Sequence, residues 1–521
     1  MTEVIGTFMR LSSLACLLLF LLNGCTTIPD QFEQQASSAW HEPESTRMGA
    51  FFQQSDGAGA GRSGVRLLPR GDEAFVTRFA LAAQAEHTLD LQYYLWKGDT
   101  TGQALLHQVL EAADRGVRVR ILIDDIYHRG RDQVYASINT HPQVEVRVFN
   151  PVGARGLGRN LNFIGRKGEL NHRMHNKIFL VDNAVAILGG RNIGDDYFGI
   201  DPKLNFRDLD VLTVGPAARE AGAAFDEYWN SRHAVPVEVI FTQTLSPTQL
   251  QGMRAALDDR LGDFLAAMPY RVPLAQPELE ARLRALEQGM DWAPAEVVVD
   301  TLERFEGGET SAFVKLAERL HPEMKEEVVV QTAYLIPTQE GIAAIAGDIE
   351  RGVRYQVMTN SLLSNNHLSV HGHYKKYRKP LLEAGVELYE LRADAALLAY
   401  YDSLDDRADN AHAGLHTKAF VIDRRYSMIG SFNMDPRSRI WNSEIGLLVD
   451  SEAFAQRVLA EMEDEFAPGS AYRLSLDERG KVLWTLDLPD GTQSWTHDPE
   501  ASVWKRFLAT LIGWLPIEQE L

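Results

Sequence analysis

The sequence predicts an α/β protein built from two similar halves, each a mixed or mainly parallel sheet flanked by helices. Three observations predict it. In the first half Thr88 to Leu95 (TLDLQYYL) reads as a buried strand, a helix follows through Gln103 to Ala113, and Arg115-Gly116-Val117-Arg118 leads into a strand over Val119 to Asp124. In the second half Val328 to Leu335 (VVVQTAYL), a helix through Gly341 to Ile349, and Arg351-Gly352-Val353-Arg354 before Tyr355 to Thr359 repeat that order. Strands alternating with helical patterns are the signature of α/β units. The third observation is a pattern, His-x-Lys-x4-Asp, standing once in each half.

Along the chain, residues 1–24 read as a signal segment. Leu11 to Leu22 is an apolar run too short to span a bilayer comfortably, and it ends in Leu22-Asn23-Gly24-Cys25. This is the form of a bacterial lipoprotein signal, with Cys25 as the lipidated first residue. The signal reads best from Met9, with Arg10 as its positive charge. Thr26 after the cysteine, rather than Asp, favours the outer membrane, and either membrane would place the body in the periplasm. Residues 25–65 are rich in Gln, Ser, Gly and Glu and read as a tether. Gly59 to Gly64 satisfies G-x-G-x-x-G, but without a strand before it or a clear helix after it the dinucleotide reading fails. Residues 66–234 and 326–470 form the two repeated domains, and 235–325 a linker whose middle, Leu250 to Gln288, reads as helical. Residues 471–521 add a hairpin over Arg473 to Leu486, turning at Asp477-Glu478-Arg479-Gly480, and a closing helix. In that helix Trp504, Phe507, Leu508, Leu511, Ile512 and Leu515 share one stripe, which suits either a membrane interface or the protein's own core.

The 521 residues carry a formal charge of −20, which disfavours nucleic acid as a partner because phosphate backbones are held by Lys and Arg. Signal cleavage would remove Cys16 and leave only Cys25, excluding disulfides and thiolate metal sites. No metal motif and no phosphate-loop motif is present, so neither a metal nor a nucleotide cofactor is expected.

The two motif copies are His175/Lys177/Asp182, running on to Gly189-Gly190-Arg191-Asn192, and His416/Lys418/Asp423, running on to Gly430-Ser431-Phe432-Asn433. Five identities at fixed spacing match by chance on the order of 10⁻⁴ times in such a chain, so two matches in corresponding places are not accidental. On a strand, residues two apart share a face, which puts each imidazole beside an ammonium. Two Lys beside two His in a core demand an anion between them, and a phosphodiester supplies one. Asp182 and Asp423 fall on the other face or in the turn, as partners of backbone or cationic groups. The small pairs Gly189-Gly190 and Gly430-Ser431 would let a phosphate approach the backbone, and Asn192 and Asn433 would donate to its oxygens. Each histidine also needs a carboxylate on Nδ1. Asp208 and Glu444 are the candidates, with Asp210 competing for the first. Basic clusters precede both motifs, at Arg155, Arg159, Arg166, Lys167 and Arg173, and at Lys375, Lys376, Arg378 and Lys379. They read as anion-binding groups or as solvated charged faces.

These residues resemble the phospholipase D superfamily from about Val65 to Phe466. The Asn-Phe-Arg-Asp and Asn-Ser-Glu stretches, the lipoprotein-like start and the ending Leu515-Pro516-Ile517-Glu518 are most similar to bacterial cardiolipin synthases of the C type. The resemblance implies a pseudo-twofold between the halves and one shared active site. It also implies His175 as nucleophile, His416 as general acid and base, and Lys177, Lys418, Asn192 and Asn433 as stabilisers of the phosphate charge. Phospholipid substrates at a membrane surface follow from the same resemblance.

Overall fold

A computed structural model describes residues 28–521 apart from 30, 56, 60, 154, 156–166, 244, 308–309 and 395–411. The signal segment and Cys25 therefore lie outside the described residues. In chain order the first half forms β1 (Ser63–Leu68), β2 (Thr88–Tyr93), β3 (Arg118–Asp124), β4 (Val144–Phe149), β5 (Arg173–Met174), β6 (Ile178–Val181), β7 (Val185–Gly189), β8 (Leu204–Arg207), β9 (Asp210–Val214), β10 (Ala234–Pro236) and β11 (Asp291–Ala293). Its main helices are α1 (Gly71–Gln84), α2 (Thr100–Asp114) and α3 (Pro216–Trp229). The second half follows with β12 (Ala295–Val299), β13 (Glu327–Thr332), β14 (Arg354–Asn360), β15 (Glu387–Leu391), β16 (His412–Leu415), β17 (Lys418–Ile422), β18 (Tyr426–Gly430), β19 (Asn442–Ser443) and β20 (Ile445–Asp450). Its helices are α4 (Ala312–Leu320), α5 (Gln339–Glu350), α6 (Leu368–Tyr374) and α7 (Glu452–Phe466).

The first sheet runs β10-β4-β3-β2-β6-β7-β9-β1-β11, and the second begins β12-β20-β18-β17-β13-β14-β15. In each, three parallel strands meet an antiparallel set at one seam, β2 with β6 and β13 with β17. The expected repeat is thus present strand for strand. The helix after each leading strand starts on an equivalent side-chain cap, Asp99 accepting from Gly102 N and Thr338 from Gly341 N. Leu180, Leu188 and Val211 share one buried core with Val421, Ile429 and Leu447, so the two sheets pack on each other.

Two expectations need correction. The stretch taken as a tether is folded from about residue 31, because buried guanidinium groups must find acceptors and take them there. Arg120 donates to Ser37 O at 2.9 Å and Arg147 to Gln35 O at 2.7 Å. The linker is helical at Pro247–Ala267 and Gln276–Gln288, but its end supplies β11 to the first sheet and β12 to the second. The C-terminal hairpin is present as β21 (Ala471–Leu476) and β22 (Val482–Leu488), extended by β23 (Gly491–Trp495), and these strands join the second sheet. The closing helix is α8 (Val503–Gly513).

Candidate active site

Two short ribbons tie the halves together and build the site. β5, which leads into His175, pairs in parallel with β19, and β16, which leads into His416, pairs in parallel with β8. The chain leaves β5 to enter β6 in the main sheet, so His175 to Lys177 is not regular strand, contrary to the expectation of an uninterrupted one. Asp124 and Asn360 fix these ribbons from the ends of β3 and β14. Asp124 Oδ2 accepts from Met174 N at 2.9 Å, and Asn360 Oδ1 accepts from Leu415 N at 2.8 Å.

Pairing across the halves decides which carboxylate meets which histidine. His175 N donates to Ser443 O at 2.9 Å, and the next residue, Glu444, sets Oε2 2.7 Å from His175 Nδ1. His416 N donates to Arg207 O at 2.7 Å, and the next residue, Asp208, sets Oδ2 2.6 Å from His416 Nδ1. Each histidine is therefore oriented by the other half's acid. Asp210 takes no part: it receives Arg78 at 2.8 Å and lies near Arg191.

Lys177 and Lys418 are buried, and each donates Nζ to the carbonyl of its own motif histidine. Burial pulls Lys177 down to about 7 and Lys418 down to about 8. Burial also holds His175 down to about 4 despite Glu444, and His416 well below its usual range, with Lys418, Lys177 and His175 adding to the effect. Each histidine lies against the other half's acid with its own motif lysine alongside, which gathers the four basic groups where the halves meet. Such a pocket is poised to take an anion that restores charge to all of them.

The two acids differ. Burial pushes Asp208 up to about 6, partly offset by Lys418 and Arg191. Burial acts the same way on Glu444, but His175, Lys177 and Ser431 outweigh it and hold the carboxyl low. Its oxygens accept from Ser431 Oγ at 2.5 Å and Ser438 Oγ at 2.8 Å, which stabilise the carboxylate.

The remaining predicted residues have other places. Asp182 accepts from the backbone N–H groups of Glu86, His87 and Thr88 at 2.7–3.0 Å, and Asp423 from those of Lys325, Glu326 and Glu327 at 2.8–2.9 Å. Both have positive φ and anchor a turn at the end of the strand opposite the histidine. Their place in the repeated motif beside the histidines and lysines does not make them catalytic: they meet backbone donors, as their position in the turn suggests, and hold the strand that carries the site. Ser431 orients Glu444, and the small residues are set by packing, since a Cβ on Gly190 would lie 2.2 Å from Asp208 Oδ1. Asn192 turns inward, accepting from Leu95 N at 3.2 Å and donating to Tyr197 OH at 3.0 Å. Asn433 is buried with its Oδ1 unpartnered. The basic clusters are paired rather than open to an anion. Arg155 meets Asp125 and Asp132, Arg173 lies near Asp124, Lys375 and Arg378 meet Asp498, Lys376 meets Glu518, and Lys379 meets Glu383. Arg159, Arg166 and the Lys167 side chain fall outside the described residues.

Sequence reasoning missed the aromatic walls. Tyr94 stands edge-on to His175 with ring centroids 4.7 Å apart, and Tyr197 and Phe206 flank His416 at 5.2 and 5.1 Å. Nothing in TLDLQYYL separates Tyr94 from a core aromatic. Asp99, Asp195 and the group His107, Glu111 and Asp258 lie on other elements. That last group offers ligand atoms within 4.8 Å of one another, but Arg254 bonds Glu111 at 2.6 Å.

Two histidines, each oriented by a carboxylate of the other half, and two buried lysines beside them form a site of the kind that phosphodiester transfer uses. A family model described as cardiolipin synthase, phospholipase D-like domain, matches residues 79–229 and 322–466. The chain belongs to this phospholipase D-like family, and it is a phosphatidyltransferase of the phospholipase D type. Cardiolipin synthase C of Escherichia coli K12 is 36% identical over 474 residues, covering 88% of this chain and 96% of that one. An uncharacterized protein of Helicobacter pylori 26695 is 30% identical over 477 residues (91% and 90%), and cardiolipin synthase A of Pseudomonas entomophila 26% over 405 (77% and 68%). The crystal structure of phosphatidylserine synthase from Haemophilus influenzae Rd KW20 shares the fold, with a TM-score of 0.52 at 15% identity over 86% of this chain and 91% of that one.

Proposed function

We propose that the protein makes cardiolipin, passing a phosphatidyl group from phosphatidylglycerol or phosphatidylethanolamine to a hydroxyl of phosphatidylglycerol through a phosphohistidine. The observation that carries this reading is the pair of crossed dyads, which leaves Nε2 of both histidines free at one buried basic site. His175 Nε2 attacks phosphorus, forming the N–P bond as the bond to the donor's alcohol breaks, and protonated His416 gives that alcohol its proton. The acceptor hydroxyl then returns a proton to His416 while its oxygen forms the new P–O bond. The N–P bond breaks and its electron pair returns to His175. Lys177 and Lys418 hold the charge on the non-bridging oxygens in both steps. Diester is exchanged for diester, so the energy of the old bond carries into the new one.

A membrane surface is the natural setting. Cys25 would tether the periplasmic body to a bilayer. Among the described residues no helix is long and apolar enough to cross a membrane. Of the two readings of the closing stripe, the outward one fits. α8 seats its small face, Ala509 and Gly513, on Gly372 of α6 and turns Trp504, Phe507, Leu511, Trp514 and Leu515 to the outside. Such a ridge suits a lipid interface.

The test is to incubate purified protein with each lipid, alone and mixed, and to identify products by mass spectrometry. Cardiolipin with free glycerol or ethanolamine is expected. Phosphatidic acid as sole product would make the protein a hydrolase, and DNA cleavage without lipid turnover would make it a nuclease.

A further inference from the structure

The pseudo-equivalent halves differ beside their catalytic lysines. In the first half the space between the sheet and α1 is filled by a buried network. Arg78 Nε donates to Tyr93 OH at 3.1 Å and its Nη2 to Asp210 at 2.8 Å, with Arg191 alongside. Each of these positions changes character in the second half. Thr332 ends β13 where Tyr93 ends β2, Phe432 precedes Asn433 where Arg191 precedes Asn192, and Gly446 pairs with Gly430 where Asp210 pairs with Gly189. Ala317 on α4 comes to the space that Arg78 of α1 fills. The helices follow suit: α1 and α2 pack closely on each other, whereas α4 and α5 make little direct contact.

The result is a cavity of about 530 Å³ between the second sheet, α4 and α5. Val328, Val330, Phe420 and Met428 form its floor, and Ala317 and Ala344 stand at the mouth between the helices. One end reaches Thr332, Gly430 and the catalytic Lys418, and the other reaches Ile422. From Lys418 to Ile422 the floor runs four residues along β17, about 13 Å at strand rise. The size is that of a ligand pocket rather than a packing defect.

We infer that this cavity takes an acyl chain of the phosphatidyl group held at the histidines. The inference rests on the phosphatidyl-transfer reading and deepens it. Between Lys418 at one end and the polar groups Glu318, His321 and Asp348 elsewhere in the wall, the floor offers methyl, methylene and aromatic surface, which suits a hydrocarbon chain rather than a headgroup. Its inner end lies at the lysine that would hold the phosphate, so chain and phosphate of one lipid can be engaged together. Burying the chain takes its methylenes out of water, a gain that grows with each carbon. That gain holds the phosphatidyl group in place while one alcohol leaves and another enters. Because the first half fills the equivalent space with Arg78 and Tyr93, the site is one-sided: the second lipid finds no matching pocket.

The experiment uses the full chain in mixed micelles with phosphatidylglycerol carrying a photoactivatable diazirine near the end of one acyl chain. Irradiation and peptide mapping should place the adduct on Phe420, Met428 or their cavity neighbours. Adducts confined to Val503–Gly513, or absent from the cavity, would overturn the inference, as would a cavity occupied by a protein segment or a second copy of the chain. Ala344→Phe and Ala317→Met narrow the mouth and give a second readout. The loss of kcat/KM on dioleoyl lipid should exceed the loss on dihexanoyl lipid at least tenfold, and equal losses would count against the pocket. Failure of the phosphatidyl-transfer reading looks different: the unmodified protein would release no headgroup from either lipid, whatever the adduct map shows.

Discussion

His175 Nδ1 and Glu444 Oε2 lie 2.7 Å apart across a sequence separation of 269 residues, one on each half of the molecule. The carboxylate fixes the proton on Nδ1 and leaves Nε2 bare. Glu444→Gln offers an amide N–H to the same nitrogen and favours the wrong tautomer. Its kcat should fall on the order of 10³-fold with the melting temperature little changed. A shifted pH–rate profile together with the lost kcat separates positioning from a merely structural role. A full-rate Glu444→Gln enzyme would remove the dyad from the mechanism.

His175→Ala and His416→Ala should each abolish turnover, and the double variant should be no slower than either single one, because residues of one site act as a unit. Multiplicative losses would mean two sites. Turnover should also persist after exhaustive chelation, and loss on EDTA restored by one divalent ion would rule out metal-free histidine chemistry.

Asp182 and Asp423 should behave as anchors. Asp182→Ala abandons three backbone N–H groups and should cost about 1–3 kcal/mol of stability, read as a lowered denaturant midpoint. The enzyme that remains folded should retain most of its kcat. A catalytic loss at unchanged stability would return Asp182 to the chemistry.

The lysines give a pH prediction. Burial holds Lys177 near 7 and Lys418 near 8, below their ordinary value, so the unfolded chain binds protons the folded one releases. Their contribution to stability therefore rises with pH from about 7 towards 10.5. A bound oxyanion raises both groups, so tungstate binding should take up protons at pH 8 and weaken as pH increases from 7 to 9. Calorimetry in buffers of different ionisation enthalpy measures that uptake. Binding without proton uptake would show that the ammonium groups do not meet the anion.

The fold and the reacting groups were legible because both depend on local pattern. The repeat shows in the order of apolar runs, and the motif in spacing held within a single strand-turn-strand unit. The pairing of histidine with acid was not legible, because β5–β19 and β8–β16 are contacts between chain segments more than 200 residues apart. Spacing along the chain suggests Asp208 for His175, and the ribbons give it to His416. Asn192 and Ser431 were misplaced for a related reason: polar side chains beside a site satisfy buried neighbours before they greet a ligand. The paired Lys375, Lys376 and Arg378 make the same point, since Asp498 and Glu518, their partners, sit more than 100 positions downstream.

The crossed ribbons also set an order of events during synthesis. The amino-terminal half leaves the ribosome first and carries His175 and Lys177, but it lacks Glu444 and the strand that positions it. A chain halted midway therefore lacks the carboxylate that fixes the tautomer of His175. The site is complete only when the last-made ribbon docks, so completion of the polypeptide itself acts as the safety catch on the transferase.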